Sequence, residues 1–247
     1  MTDPCGAELN PLVRKLESIA VLSDDEREAI ESLPVVKRVL SPRQDIARDR
    51  DRPTSCCLVL EGWVFSYKIL DDGKRQIVAF YLPGDIPDLQ SLHLLWLDHS
   101  LATLTTCTLA FIDHEDLRGL LGRFPRVAGA LWRDTLVAGS IFREWLTRIG
   151  RRSAYSRVAH LFCELYIRLE AIGLAEDYRC ELPVTQLDLS DALGLSPVHF
   201  NRVLQALRRR DLIDLRDRTL IIPDWRALSR VAKFDPNYLH LKKRASG

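Results

Sequence analysis

The sequence predicts an α+β protein in three parts: an N-terminal β-roll of the jelly-roll type, one long helix, and a C-terminal winged helix-turn-helix. Three observations carry this. Short runs rich in Val, Ile, Tyr and Phe recur between Val35 and Asp113, punctuated by Gly62, Gly73 and Gly84. The stretch Arg126–Ile149 holds apolar residues at alternating steps of four and three. From Leu182 to Ile222 two short capped helices precede a hairpin. The expected divisions are 1–124, 125–150 and 151–247.

Taken in order, Asn10-Pro11 and Ser23-Asp-Asp-Glu26 are helix starts, the second a capping box, and they predict helices over Pro11–Ile19 and Asp24–Leu33. The period then changes. Val35–Leu40, Cys57–Leu60, Val64–Leu70, Gln76–Leu82, Leu101–Thr105 and Thr108–Asp113 read as strands, with Asp71-Asp72-Gly73 a hairpin turn. Glu115–Leu121 is a short helix, and Pro125 opens the long one. On that helix Leu131, Thr135, Ala138, Phe142, Trp145 and Ile149 form a heptad seam, with Trp132, Leu136, Gly139 and Leu146 on a neighbouring face. One stripe can lie on the chain's own β-roll and the other on a partner helix, so a two-fold homodimer is expected. Gly150–Ser153 reads as a hinge, and Tyr155–Ile172 as a helix with Val158, Leu161, Phe162, Leu165 and Leu169 inward.

The helix-turn-helix follows. Thr185 caps a helix with Asp188 three residues on, and Leu187, Leu189, Ala192 and Leu193 give it an apolar face. Gly194 ends it. Ser196 caps a second helix whose first residue is Pro197. There Phe200, Val203, Leu204 and Leu207 face inward, while His199, Asn201, Arg202, Gln205 and Arg208 face outward. Leu212–Leu215 and Thr219–Ile222 flank the turn Arg216-Asp217-Arg218 as a wing. Trp225–Leu241 folds back as a terminal helix, and Lys242-Lys243-Arg244 is a solvated end. The residues placed to touch double-stranded DNA are Arg202, His199 and Asn201 at bases, and Thr185, Gln186, Ser196 and Arg218 around them.

At these residues the chain resembles the Crp/Fnr family of bacterial transcription regulators. The likeness runs through T-Q-x-D-L-x-x-A-L-G-L-S and x-F-N-R-V-L-Q-x-L, then through E-G-W-V and D-D-G-K-x-x-I-V-A-F-Y-L-P-G-D in the β-roll. It spans roughly Val13 to Trp225. The resemblance implies that Pro197–Arg209 is a recognition helix and Arg202 a guanine-reading arginine, a role its bidentate fork suits. It also implies RNA polymerase as a partner. Val198 stands where many members carry a base-pairing glutamate. In members that bind cyclic nucleotides a glutamate holds the ribose and an Arg-Ser pair the phosphate; here those positions fall on Leu89 and His99-Ser100, so cyclic-nucleotide binding is not expected.

Composition bounds the rest. Residues 151–247 hold 17 Lys/Arg against 12 Asp/Glu, the first 150 hold 18 against 22, and the positive half is the one with the helix-turn-helix. Six cysteines show no CxxC pair, and only Cys5 lies near the N-terminus, so no iron–sulfur cluster, metal or other cofactor is expected. Cys56 and Cys57, adjacent on a strand, should face opposite ways. His93, His99 and His114 lack a ligand spacing. GxSxG, HExxH and GxxxxGK[ST] motifs are missing, which argues against an enzyme. MTDPCGAELN has no apolar signal core and no run could span a bilayer, so a cytoplasmic protein without membrane contact is expected. The alternative is a dimeric β-roll that binds small molecules or proteins and carries a degenerate winged helix. An effector acting on the β-roll is not named by the sequence.

Overall fold

A computed structural model describes residues 10–242. The chain divides into two compact units. The first comprises residues up to Lys68, Val78–Leu136 and Lys242; the second comprises Ile69–Ile77 and Val137–Leu241.

In the first unit α1 (Asn10–Glu17) and α2 (Asp24–Glu31) precede the strands, and α2 starts with the expected box: the Glu26 N–H donates to Ser23 Oγ at 3.3 Å. The strands are β1 (Val36–Leu40), β2 (Asp45–Ala47), β3 (Ser55–Glu61), β4 (Val64–Ile69), β5 (Arg75–Tyr81), β6 (Ser100–Thr103) and β7 (Cys107–Asp113). They pair as two antiparallel sheets, β1-β7-β3 and β2-β6-β4-β5. The period of two sorts the β3 side chains. Cys56, Leu58 and Leu60 join a core with α1, α2, α3 (His114–Arg123) and the start of α4 (Pro125–Arg151), while Cys57 and Val59 join Val64, Cys107 and Leu109 inside the roll. The two cysteines do face opposite ways.

The P-G-D turn is dictated by α1. Gly84 has φ +95°, and a Cβ there would lie 2.3 Å from the Pro11 carbonyl oxygen. Asp85 then accepts from the Leu82 N–H at 2.8 Å and from Lys15 Nζ at 2.6 Å.

The second unit holds the rest of α4, then α5 (Ala154–Ala171), β8 (Ala175–Glu176), β9 (Arg179–Glu181), α6 (Gln186–Leu193), α7 (Pro197–Arg208), β10 (Asp214–Arg216), β11 (Thr219–Ile221), α8 (Trp225–Ala232) and a 3-10 turn Pro236–Leu239. The expected hinge is smaller than predicted. Gly150 and Arg151 continue α4, and only Arg152 and Ser153 interrupt it before Ser153 caps α5. Arg152 spans that break, donating to Glu144 Oε1 and to the Ala232 carbonyl, each at 2.9 Å.

Beneath the break lies a polar cluster whose centre, Glu164, Arg148 and His160, is buried. Glu164 accepts from Trp145 Nε1 at 2.8 Å, from Arg148 Nη2 at 2.8 Å and from the Tyr238 hydroxyl at 2.7 Å. Arg148 Nη1 lies 2.7 Å from His160 Nδ1, and a guanidinium can only donate. His160 is therefore neutral, with its proton on Nε2 facing Glu144 Oε1 at 3.3 Å. Burial, then Arg148 and Arg152, push its pKa down to about 2. No helix among the described residues is long and apolar enough to cross a membrane.

Candidate nucleic-acid interface

The geometry of α6 is set by its cap. The Asp188 N–H donates to Thr185 Oγ1 at 3.2 Å, and Asp188 Oδ2 accepts from the Thr185 N–H at 3.1 Å and from its hydroxyl at 2.5 Å. The hydroxyl proton of Thr185 is committed to this box, which leaves Gln186 as the exposed side-chain donor of the first turn. Leu187, expected inward, is 54% exposed; Leu189, Ala192 and Leu193 bury the apolar face alone. Asp188 is fully buried, and its other oxygen accepts from Arg75 Nη2 at 2.8 Å. Arg75 also reaches Asp191 Oδ2 at 2.8 Å. It belongs to Ile69–Ile77, which groups with this unit, and so offsets two carboxylates close to the candidate face. Sequence reasoning missed it, because nothing local links it to residues 113 positions away.

Gly194 turns the chain with φ 61°, a left-handed value that suits glycine. Ser196 Oγ accepts from the His199 N–H at 3.2 Å and starts α7, with Pro197 at the position that needs no donor. Phe200, Val203, Leu204 and Leu207 are buried as expected. Val198, His199, Asn201, Arg202, Gln205 and Arg209 are exposed, and four of them share one stripe: Val198, Arg202, Gln205 and Arg209 are spaced four, three and four apart. Arg208 behaves otherwise than predicted. It is half-buried and donates to the Leu215 carbonyl, which ties α7 to the wing.

The wing strands β10 and β11 pair antiparallel across Asp217 and Arg218, whose φ values of 48° and 60° fit a two-residue I′ turn. Arg218 is exposed at that tip. The wing is wider than a hairpin, since β9 and β8 extend it to the order β10-β11-β9-β8. Strands of two or three residues show no period, and these two escaped the sequence.

On α4 the predicted seam divides. Leu131 and Trp145 are 4% and 7% exposed and face the chain's own core, so neither belongs to an outer stripe. Phe142 and Ile149, at 45% and 40%, do face out, together with Trp132, Leu136 and Leu146 at 66%, 53% and 74%. Thr135 and Ala138 are also exposed. The outer stripe is thus Trp132, Leu136, Gly139, Phe142, Leu146 and Ile149, in steps of three and four, drawn from both predicted faces.

The two β-roll positions singled out in the sequence are both engaged within the chain. Leu89 packs against the helix-side core, and His99 Nδ1 is held by Asp98 at 2.7 Å. Burial pushes the Cys56 and Cys180 thiols up to about 12 and raises those of Cys57 and Cys163. Among the described residues no cluster of three or more His, Cys, Asp or Glu could hold a metal. His114 Nε2 is 3.0 Å from Ser91 Oγ inside the first unit, and His93 is exposed.

A capped helix pair with an outward arginine stripe, a wing tied to it and a β-roll in the same chain define a winged helix-turn-helix DNA-binding protein. Known proteins agree. Residues 156–231 match the Crp-like helix-turn-helix domain and residues 37–124 the cyclic nucleotide-binding domain. The nitrogen fixation regulation protein FixK of Rhizobium meliloti (strain 1021) is 30% identical over 186 residues, 74% of this chain and 81% of that one. FixK of Bradyrhizobium diazoefficiens is 32% identical over 179 residues, 70% and 72% of the two chains. The solved structure of FixK2 from Bradyrhizobium japonicum matches at TM-score 0.73 and 25% identity, covering 81% of this chain and 98% of that one. The chain belongs to the Crp/Fnr family and is a DNA-binding transcription regulator.

Proposed function

We propose that two copies join along the outer stripe of α4 and present their α7 helices to the half-sites of an inverted repeat. The observation that carries this reading is the division of α7: one face fully buried, the opposite face an exposed stripe through Arg202. Arg202 reads a guanine through O6 and N7, with His199 and Asn201 beside it. Gln186 and Ser196, and Arg218 on the wing, hold phosphates, while Thr185 shapes the turn that aims Gln186. The protein acts in the cytoplasm as a regulator without an enzymatic step. It works through RNA polymerase, as the family likeness implies, and cyclic nucleotides are not its effector. A signal at the β-roll would act by changing how the two α7 helices are spaced.

Binding-site selection from genomic fragments tests it. The parent should enrich one inverted repeat. Arg202→Ala should cost about 1–3 kcal/mol per half-site and relax preference at one guanine, while Gln186→Ala weakens all sequences alike. Enrichment of no sequence at low salt would favour a β-roll binding module with a degenerate winged helix, and selection of the same guanine by Arg202→Ala would remove Arg202 as the reader.

A further inference from the structure

Beside the outer stripe of α7 an open groove of about 550 Å³ is lined by Tyr155, Ala206, Arg209 and Arg210. Its floor comes from the first turn of α5, where Tyr155 follows the Ser153 cap by two residues. The Arg210 guanidinium carbon lies 5.7 Å from the centre of the Tyr155 ring. The Tyr155 hydroxyl is out of contact with solvent and finds no hydrogen-bond partner among the described residues. A hydroxyl left so costs free energy unless something completes it, and two exposed arginines at the rim point to an anion.

The position of Arg209 identifies the anion. Arg209 follows Arg202 by seven residues, so it lies on the same face of α7, about 10 Å farther along the axis. A helix whose early residue reaches base edges in a groove about 12 Å wide carries a residue two turns later toward the bordering phosphates. An enclosed apolar cavity would suit a small molecule; an open groove continuous with the arginine stripe suits a chain that passes over it. We infer that this groove seats a phosphate of the DNA backbone, held by Arg209 and Arg210 and by the Tyr155 hydroxyl once Arg210 turns its guanidinium to the phosphate. The inference rests on the DNA-binding reading above and adds an anchor of Tyr155, Arg209 and Arg210 to each half-site.

Tyr155→Phe is the sharpest test, because it removes only the hydroxyl. Its melting temperature should stay level or rise, since an unsatisfied buried group is lost, while affinity for the selected operator falls roughly tenfold. The selected sequence should not change. Arg209→Ala should weaken cognate and unrelated duplexes equally, and should lower the slope of log K against log salt by about 0.9 per half-site. Arg210→Ala should do the same. A parent that binds the operator while all three variants match its affinity and salt slope would overturn the phosphate seat and leave the regulator reading intact. A Tyr155→Phe protein that melts lower with unchanged affinity would show a structural hydroxyl instead. A parent that binds no duplex at low salt would overturn both readings.

Discussion

Two acids buried to nearly the same depth, Asp88 in the β-roll unit and Glu164 in the winged-helix unit, are satisfied in opposite ways. In the β-roll unit Asp88 is almost fully buried, and its carboxylate accepts from the backbone N–H of Cys57 at 2.7 Å. Burial pushes its pKa up to about 7, partly offset by that hydrogen bond. In the winged-helix unit Glu164 is equally buried but accepts from an indole, a guanidinium and a phenol, and His160 beside it is held neutral. Depth alone therefore does not decide how a buried charge behaves; the donors around it do. Asp88 rests on backbone donors alone, whereas the unit that must aim α7 is fastened by a network that crosses from α4 to α5.

If that contrast is right, removing the cation should be far more damaging than removing the Asp88 carboxylate. Arg148→Met leaves Glu164 buried without its cation, and should cost about 3–5 kcal/mol. The loss should appear as faster hydrogen exchange through α5 and α8, with the β3 and β7 amides unchanged. A cost below about 1 kcal/mol, or one shared equally by the β3 and β7 amides, would mean that the network does not fasten the unit.

The pH dependence sharpens the same contrast, because the two groups have opposite signs. Asp88 is an acid whose folded pKa is raised from 3.8 to about 7. Folding favours its protonated form, so its contribution is fully present below pH 3.8 and is lost as pH rises through 7, about 4 kcal/mol at most. His160 is a base whose folded pKa is lowered from 6.5 to about 2. Its contribution is fully present above pH 6.5 and falls by about 1.4 kcal/mol for each unit below that. Between pH 4.5 and 6.5 the Asp88 contribution loosens the β-roll with rising pH while the His160 contribution tightens the winged helix. Hydrogen exchange corrected for intrinsic rates should show the two slopes, and Asp88→Asn should flatten the first alone. An Asp88→Asn protein whose β-roll slope matches the parent's would contradict the burial argument.

What could be read beforehand was whatever a few neighbouring residues decide. The Thr185–Asp188 box, Gly194 and Ser196-Pro197 each settle their own turn, and all three stand where expected. So does the Ser23–Glu26 box. The readings that failed depended on distant residues. Both stripes on α4 are apolar in sequence, and the partner that Trp145 meets on turning inward, Glu164, lies nineteen positions away. One signal for it was present: Glu164 and His160 fall among the inward positions of a helix otherwise lined by Val158, Leu161, Phe162 and Leu165. A charge at such a position implies a partner, but the partner's identity is a tertiary fact. Arg208 was misread for the same reason, since the Leu215 carbonyl it meets becomes a neighbour only when the wing folds.

The last test has the smallest effect on the fold, and it uses the two faces of α4. Phe142 and Leu146 lie on the outer stripe, one turn apart, with Trp145 between them facing in. Replacing both by Gln removes apolar surface that the protomer itself does not bury. Such substitutions on an exposed face change protomer stability by about 0.5 kcal/mol or less. Trp145→Phe, by contrast, deletes the indole donor to Glu164 and should cost about 1–3 kcal/mol. If the outer stripe joins two copies, the Gln pair should sediment as a folded monomer and bind the inverted repeat much more weakly, because two half-sites are no longer held together. The Trp145→Phe protein should remain a dimer despite its lower stability. A Gln pair that sediments as a dimer would place the dimer contact somewhere other than the outer stripe of α4.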